Sequence, residues 1–245
     1  MQPSFHAIAV VPAFNEATTI RGLAQRVLVE LSGLIVVDDG SVDDTGNRLN
    51  GLPIRVIRHP ENRGKAASLW TGIQAALQSG ATAIITLDGD GQHAPEDIPR
   101  LLEAHREHPS DIIVGARLQN RKEAPAARRF ANGFADFWIS WAAGVPIRDS
   151  QSGLRLYPAA LLERIDVPYD KARGFVFESE VLIEAVRLGY GCHSIPIKSC
   201  YPTQARKSHF RPLVDIGAIV RMVAGKLLAQ GMNPAGLYRI LLARR

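Results

Sequence analysis

"ITLDGDGQHAPEDIP", residues 85–99, joins an apolar run to a polar turn and the start of a helix. The run stops at two aspartates and a glutamine set at alternate positions. Along an extended chain, side chains at i, i+2 and i+4 face one way, so Asp88, Asp90 and Gln92 are expected to converge. Gly89 and Gly91 let the backbone bend and let a ligand come close. Pro95, Glu96 and Asp97 suit the first turn of the helix that follows. Strand, turn and helix together make half of a parallel β-α-β unit.

The same order recurs on both sides of this stretch. "HAIAVVPAF" (6–14), "LIVVDDGS" (34–41), "IRVIRHP" (54–60), "TAIITLDGD" (82–90) and "DIIVGAR" (111–117) read as strands. Between them, "NEATTIRGLAQRVLVEL" (15–31), a short segment over 43–50, "GKAASLWTGIQAALQSG" (64–80) and "APEDIPRLLEAHREH" (94–108) read as helices. Asn15 is expected to cap the first helix and Gly33 to end it. Continuous apolar strands imply burial on both faces, which predicts an α/β fold with a mainly parallel central sheet flanked by helices. Ligands bind such sheets beyond the carboxyl ends of the strands. Every strand here ends in polar residues: Pro12 to Glu16, Asp38 and Asp39, His59 to Lys65, Asp88 to Gln92, and Arg117. One shared rim is therefore expected.

Composition narrows the function classes. With 46% hydrophobic and 22% charged residues over 245 positions, the chain is an ordinary globular protein with a full core. Two cysteines, Cys192 and Cys200, are too few for a disulfide scaffold or a cysteine zinc site. The N-terminus lacks a basic leader, and no uninterrupted apolar span is long enough for a bilayer. A net charge of +5 favours an anionic partner: nucleic acid, phosphates or an acidic membrane. The arginines are scattered over several segments, and an acidic rim repels a phosphate backbone, so nucleic-acid binding is not expected.

Three oxygen ligands without a nearby cysteine suit a hard cation, Mg²⁺ or Mn²⁺, holding phosphates. The competing reading is an Asp- and Gly-rich turn that merely leads into a helix. His93 reads as a supporting or surface residue rather than a ligand. "NRGKAAS" (62–68) resembles the end of a P-loop, yet His59 stands where the first glycine belongs and Ala66 replaces the Ser/Thr that would hold a metal. No GxGxxG follows the first strand. Kinase-like and dinucleotide-binding fingerprints are thus both absent.

Seven segments carry a resemblance. "VVPAFNE", "VVDDGSVDDT", "ENRGKAASLWTGI", "LDGDGQHAPEDIP", "VGAR", "DSQSGLRLYP" and "GFVFESEVL" occur in that order between Ile8 and Arg211. Together they resemble the GT-A type, inverting family 2 glycosyltransferases of the dolichyl-phosphate mannose synthase and polyprenyl-phosphate glycosyltransferase group. The resemblance implies a GT-A fold and a nucleotide-diphosphate sugar donor, GDP-mannose or UDP-glucose. It also implies a polyprenyl phosphate acceptor. Pro12, Ala13, Phe14, Asn15, Glu16 and Asp39 then line the nucleotide pocket, with Lys65 and Asp88 at the diphosphate. Asp88, Asp90 and Gln92 are the implied metal ligands, and Asp90, Arg117 and Asp149 the implied catalytic residues. Ser152, Gly153, Arg155, Glu178 and Glu180 are carried over to the acceptor side.

The chemistry of the acceptor bears on Asp149. A sugar hydroxyl needs a general base within hydrogen-bond reach. A phosphate monoester, with a second pKa of about 6, is already largely a dianion at neutral pH. A lipid phosphate therefore calls for a basic site, and Arg128, Arg129, Arg206, Lys207 and Arg211 are candidates to line it. Asp149 is then expected to position the acceptor or metal more than to abstract a proton. The tail "RKSHFRPLVDIGAIVRMVAGKLLAQG" (206–231) pairs a basic segment with an apolar helix interrupted by Asp215, Arg221 and Lys226. Such a helix suits the surface of a membrane rather than its interior; packing on the protein's own core is the alternative. The expected layout is a catalytic domain over 1–205 and a basic, amphipathic C-terminal segment over 206–245. The expected location is cytoplasmic, peripheral on the inner face of the cytoplasmic membrane.

Overall fold

The computed structural model describes residues 5–120, 126–169, 174, 176–198 and 212–243. Arg206, Lys207, Arg211 and Cys200 lie outside the described residues, as do the side chain of Arg128 and the 205/206 boundary. A seven-stranded sheet runs through the molecule in the order β3-β2-β1-β4-β6-β5-β7. Its strands are β1 (Ala7–Ala13), β2 (Gly33–Asp38), β3 (Arg55–Arg58), β4 (Ala83–Thr86), β5 (Ile112–Arg117), β6 (Arg155–Pro158) and β7 (Cys192–Ile197). All neighbouring pairs are parallel except those made by β6, which runs antiparallel to both β4 and β5.

Alternation along the strands divides the core. Ile8 and Val10 join one apolar cluster, Ala9 and Val11 the other. α1 (Ile20–Glu30) and α4 (Ile98–Glu107) cover one face through Ile20, Leu23, Val27, Ile98 and Leu101. α3 (Lys65–Gln78), α5 (Ala126–Ala143) and α7 (Val176–Arg187) cover the other through Leu69, Ile73, Ile139, Val181 and Leu182. Each such side chain contributes about 1.5–3 kcal/mol by leaving water. α3 lies unusually close to β1, because a Cβ at Gly72 would sit 2.3 Å from Val10 Cγ1. Two further helices, α8 (Pro212–Ala229) and α9 (Pro234–Ala243), close the second layer. Ile219, Met222, Val223 and Leu227 of α8 enter the same core as α5 and α7.

Two local expectations are corrected. Asn15 does not cap α1, which begins at Ile20 behind Thr19. It adopts φ +56 and accepts the Val42 N–H on its side-chain oxygen, tying the end of β1 to the loop after β2. Gly33 does not end α1 either; it opens β2, where a Cβ would press on Ile8 Cγ1 at 3.0 Å. The short segment after β2 forms α2 (Thr45–Arg48), and a second short helix, α6 (Ala159–Leu162), follows β6 directly.

Candidate active site

The carboxyl ends of β1, β2, β4 and β5 lie on one side, and the antiparallel β6 begins there. The loops that leave these ends are knitted together by hydrogen bonds between backbone and side chain. Asn15 N–H donates to Ser41 Oγ at 2.9 Å and Glu16 N–H to Thr45 Oγ1 at 2.7 Å. Thr19 Oγ1 donates to Gly89 O at 2.8 Å, and a Cβ on Gly89 would stand 2.9 Å from Pro12 O. The Pro12–Glu16 segment and the Asp88–Gln92 turn are thus one packed unit, with Pro12, Ala13 and Glu16 buried and Phe14 and Asn15 half-buried.

Asp88, Asp90 and Gln92 do not alternate on an extended chain. β4 ends at Thr86, and the backbone turns through Gly91 at φ +74. Gln92 N–H donates to Asp90 Oδ1 at 2.9 Å. A tight turn, rather than a pleat, sets the directions of these side chains, and it still brings the two carboxylates into electrostatic contact. Burial pushes the Asp90 carboxyl up, and the neighbouring Asp88 charge pushes it further. Burial works on Asp88 in the same sense, but the cation of Lys65 outweighs it and holds Asp88 below the usual carboxylate range.

Lys65, the first residue of α3, reaches Asp88 Oδ1 and Glu178 Oε2, each at 2.6 Å. Against the cost of burial, those two carboxylates hold the ammonium firmly protonated. Glu180 is not part of this bridge. Two residues further along α7 it turns to α8, accepting Lys226 Nζ at 2.9 Å.

Arg117 and Asp149 form a forked pair. Arg117 Nε donates to Asp149 Oδ2 at 2.8 Å, Nη2 to Oδ1 at 2.7 Å, and its backbone N–H to Oδ2 at 2.8 Å. Burial raises the Asp149 carboxyl, but the guanidinium more than reverses this and leaves it below its ordinary value. Asp149 sits at φ +53, an uncommon conformation for a residue with a side chain.

The remainder of the 149–155 segment packs on the carboxylate turn. Gly153 lies against Asp88 so closely that a Cβ would meet Asp88 Oδ2 at 2.3 Å. Its N–H donates to His93 Nε2 at 3.3 Å. His93 is therefore not a surface residue; it is 1% exposed, and burial pushes its imidazole down to about 4, so it is neutral at pH 7. Ser152 is also internal, its hydroxyl donating to Gly115 O. Arg155 is 1% exposed and spends its fork on the protein, with Nη2 donating to Ser150 O at 2.7 Å, Nη1 to Glu178 O at 2.6 Å and Nε to Ser152 O at 2.8 Å. It holds the loop's carbonyls and does not face outward as a phosphate ligand.

Asp39 is similarly occupied. It accepts the N–H groups of Arg63 and Gly64 at 2.9 and 2.8 Å and pairs with His59 Nδ1 at 2.8 Å, which fixes the approach to Lys65. Arg129 is half-buried on α5. Sequence reasoning missed Asp136, whose buried carboxylate accepts Asp149 N–H, Ser150 N–H and Ser150 Oγ. The available signal was an aspartate inside the aromatic run "FADFWISW". Away from the rim, His108, Asp111 and His193 bring their ligand atoms within 4.8 Å of one another. His108 and His193 stack in parallel, with centroids 3.7 Å apart at 11°, so their in-plane lone pairs run side by side instead of converging. This knot locks the ends of β5 and β7, with Asp111 also accepting Gly191 N–H at 2.8 Å.

A mainly parallel sheet with one inserted antiparallel strand, carrying paired aspartates and two held cations at its rim, defines a GT-A fold glycosyltransferase. The chain belongs to glycosyl transferase family 2, whose profile matches residues 8–150. It is 29% identical to UDP-N-acetylglucosamine–dolichyl-phosphate N-acetylglucosaminyltransferase of Methanococcus voltae, over 78% of this chain and 84% of the relative. It is 27% identical to polyprenol monophosphomannose synthase of Mycolicibacterium smegmatis, over 80% of this chain and 78% of the relative. In fold it matches glucosyl-3-phosphoglycerate synthase from Mycobacterium tuberculosis, solved with Mn²⁺, UDP and phosphoglyceric acid, with a TM-score of 0.65 and 24% identity over 92% of this chain and 78% of that one.

Proposed function

We propose that this enzyme transfers a hexose, with inversion, from a nucleotide-diphosphate sugar to polyprenyl phosphate. The observation that carries the reading is the state of Asp149. Both its oxygens are engaged by Arg117 and its carboxyl is held below its ordinary value, which makes it a poor proton acceptor. A hydroxyl acceptor needs a base; a phosphate dianion does not. The names of the two curated relatives, both acting on polyprenyl-type lipids, support the same choice.

In this mechanism an acceptor phosphate oxygen attacks the anomeric carbon, the bond from that carbon to the donor diphosphate breaks, and the nucleoside diphosphate leaves with the electron pair. No proton has to move. Lys65 and Arg117 orient the donor diphosphate and meet the charge that grows on it. The paired carboxylates of Asp88 and Asp90, with the Gln92 amide, fit Mg²⁺ or Mn²⁺, since hard oxygen donors and their mutual repulsion favour a cation. Such an ion would neutralise diphosphate charge. Pro12 to Glu16 form one wall of the nucleotide pocket, and Asp39 shapes another by fixing the turn before α3.

The acceptor reading places the enzyme at a membrane surface. Among the described residues no helix is long and apolar enough to cross a bilayer. Phe130 (77% exposed) on α5, Leu228 (71%) on α8 and Tyr238 (66%) on α9 offer apolar contact, and the basic 206–211 segment suits anionic head groups. We assign 1–205 to catalysis; within 206–245, α8 packs one face on the core through Ile219, Met222, Val223 and Leu227, and its outward side chains with the basic segment are assigned to this contact.

The test is nucleoside-diphosphate release from a donor panel with Mg²⁺, Mn²⁺ or EDTA, with and without polyprenyl phosphate in detergent. Release should require both lipid and metal and vanish in Asp90→Asn. Lipid-independent release onto a soluble hydroxyl acceptor would overturn the acceptor assignment.

A further inference from the structure

Asp136 lies on α5, apart from the strand ends that carry the rim, yet its carboxylate determines how the rim loop begins. Oδ2 accepts Asp149 N–H at 3.1 Å, while Oδ1 accepts both Ser150 N–H and Ser150 Oγ at 2.8 Å. These contacts are buried, with Asp136 at 8% exposure and Ser150 at 0%. They act on a conformationally costly segment of the rim, since Asp149 stands at φ +53 and a non-glycine residue persists there only when its surroundings over-determine it.

From this hub, contacts run to both held cations. The fixed Asp149 presents its two oxygens to Arg117, and Ser150 O accepts from Arg155, which also holds Glu178 O on the helix whose carboxylate meets Lys65. We infer that Asp136 is a positioning residue of the transferase, holding Asp149 in its left-handed conformation so that Arg117 is aimed at the donor diphosphate. The inference rests on the roles proposed above for Arg117 and Asp149, but its geometric half does not depend on which acceptor is used.

Asp136→Asn separates the contacts cleanly. An asparagine keeps the volume and can keep its oxygen on Ser150, while its amide then opposes Asp149 N–H, donor against donor. Two readouts are taken. The first is the exchange rate of the Arg117 Nε–H proton by ¹⁵N NMR, assigned through Arg117→Lys; the forked pair protects it, and the variant should speed its exchange by about tenfold, the effect of losing one buried hydrogen bond. The second is turnover: kcat should fall by about tenfold or more while the KM for the donor moves by less than about threefold, as expected when alignment is lost and binding is kept.

Unchanged Arg117 exchange with wild-type kcat overturns the inference. So does a variant in which strand amides lose protection in parallel with Arg117, because Asp136 is then only a stabiliser of the core. A wild-type enzyme that transfers nothing to polyprenyl phosphate removes the acceptor assignment instead, and the Arg117 exchange still decides the role of Asp136.

Discussion

Gly153→Ala tests whether the rim loop and the carboxylate turn are one unit. The added methyl would stand 2.3 Å from Asp88 Oδ2, 2.5 Å from Cγ and 2.7 Å from Oδ1. An ordinary carbon–oxygen contact lies at about 3.3 Å or beyond, so roughly 1 Å of separation must be found. The Gly153 backbone needs no left-handed conformation, so the conflict is steric. Asp88 cannot yield without leaving Lys65, which it meets at 2.6 Å, and the loop cannot yield without drawing Gly153 N–H away from His93. Overpacking of this kind costs about 1–3 kcal/mol. In a chain of this size each kcal/mol lowers Tm by about 2–4 °C. The larger effect falls on ligand binding: displacement of one proposed metal carboxylate should weaken Mn²⁺-dependent binding of a nucleoside diphosphate by about tenfold or more. Calorimetric titration together with thermal unfolding measures both. A variant with Tm within about 1 °C of wild type and unchanged affinity would refute the packing argument.

Three further outcomes are expected. Lys65→Met strips the counter-charge from Asp88 and Glu178 and should destabilise the fold by about 3–5 kcal/mol, with Lys65→Met/Glu178→Gln recovering part of that loss in urea unfolding; full additivity of the single changes would contradict the bridge. Arg155→Lys should cost about 2–4 kcal/mol by the same measurement, because one ammonium cannot serve the carbonyls of Ser150, Ser152 and Glu178 that the fork now serves, and a near-neutral change would dismiss Arg155 as the loop's anchor. The Asp149–Arg117 pair sets a pH dependence. A carboxyl depressed on folding contributes stability that is complete above its unfolded value near 3.8 and is lost as pH falls through the lower folded value. The stability difference between wild type and Asp149→Asn should accordingly stay level from about pH 5 to 7 and shrink below about pH 4; a difference that shrinks between pH 5 and 7 would contradict the pairing.

The first five strands were legible because each is a short apolar run followed by a helical pattern, and the rim followed from what ends those runs. β6 was harder to read, since "RLYP" joins a buried arginine to a proline and reads as a loop until pairing with Ile84 and Ile113 supplies its reason. The carboxylate motif was identified on an incorrect geometric premise, with extended alternation assumed where Gly91 makes a turn. Glu178 and Glu180 looked equivalent in sequence, and only helical periodicity separates the partner of Lys65 from the partner of Lys226. Arg155 was assigned to the acceptor side, yet its fork is spent on the carbonyls of Ser150, Ser152 and Glu178, a long-range fact that spacing does not encode. Asp136 stood out as an aspartate inside an aromatic run, but its partners, 13 and 14 residues on and mostly backbone N–H groups, are not given by any residue pattern.

The place of β6 bears on how the molecule is made. β3, β2, β1 and β4 form a contiguous half-sheet once residue 86 has been synthesised, but β5 cannot join it, because β6 must lie between β4 and β5. As the chain leaves the ribosome, β5 therefore waits for residues 155–158 before it gains a paired edge on the β4 side, and α5 waits longer, for α7, α8 and α9. The same insertion delivers Gly153 to Asp88 and Arg155 to its carbonyls. The nascent protein thus begins to assemble the rim in the step that joins its two half-sheets and completes it when α7 brings Glu178 to Lys65 and Arg155, and a chain truncated before β6 should expose both unpaired edges to chaperones or to other chains.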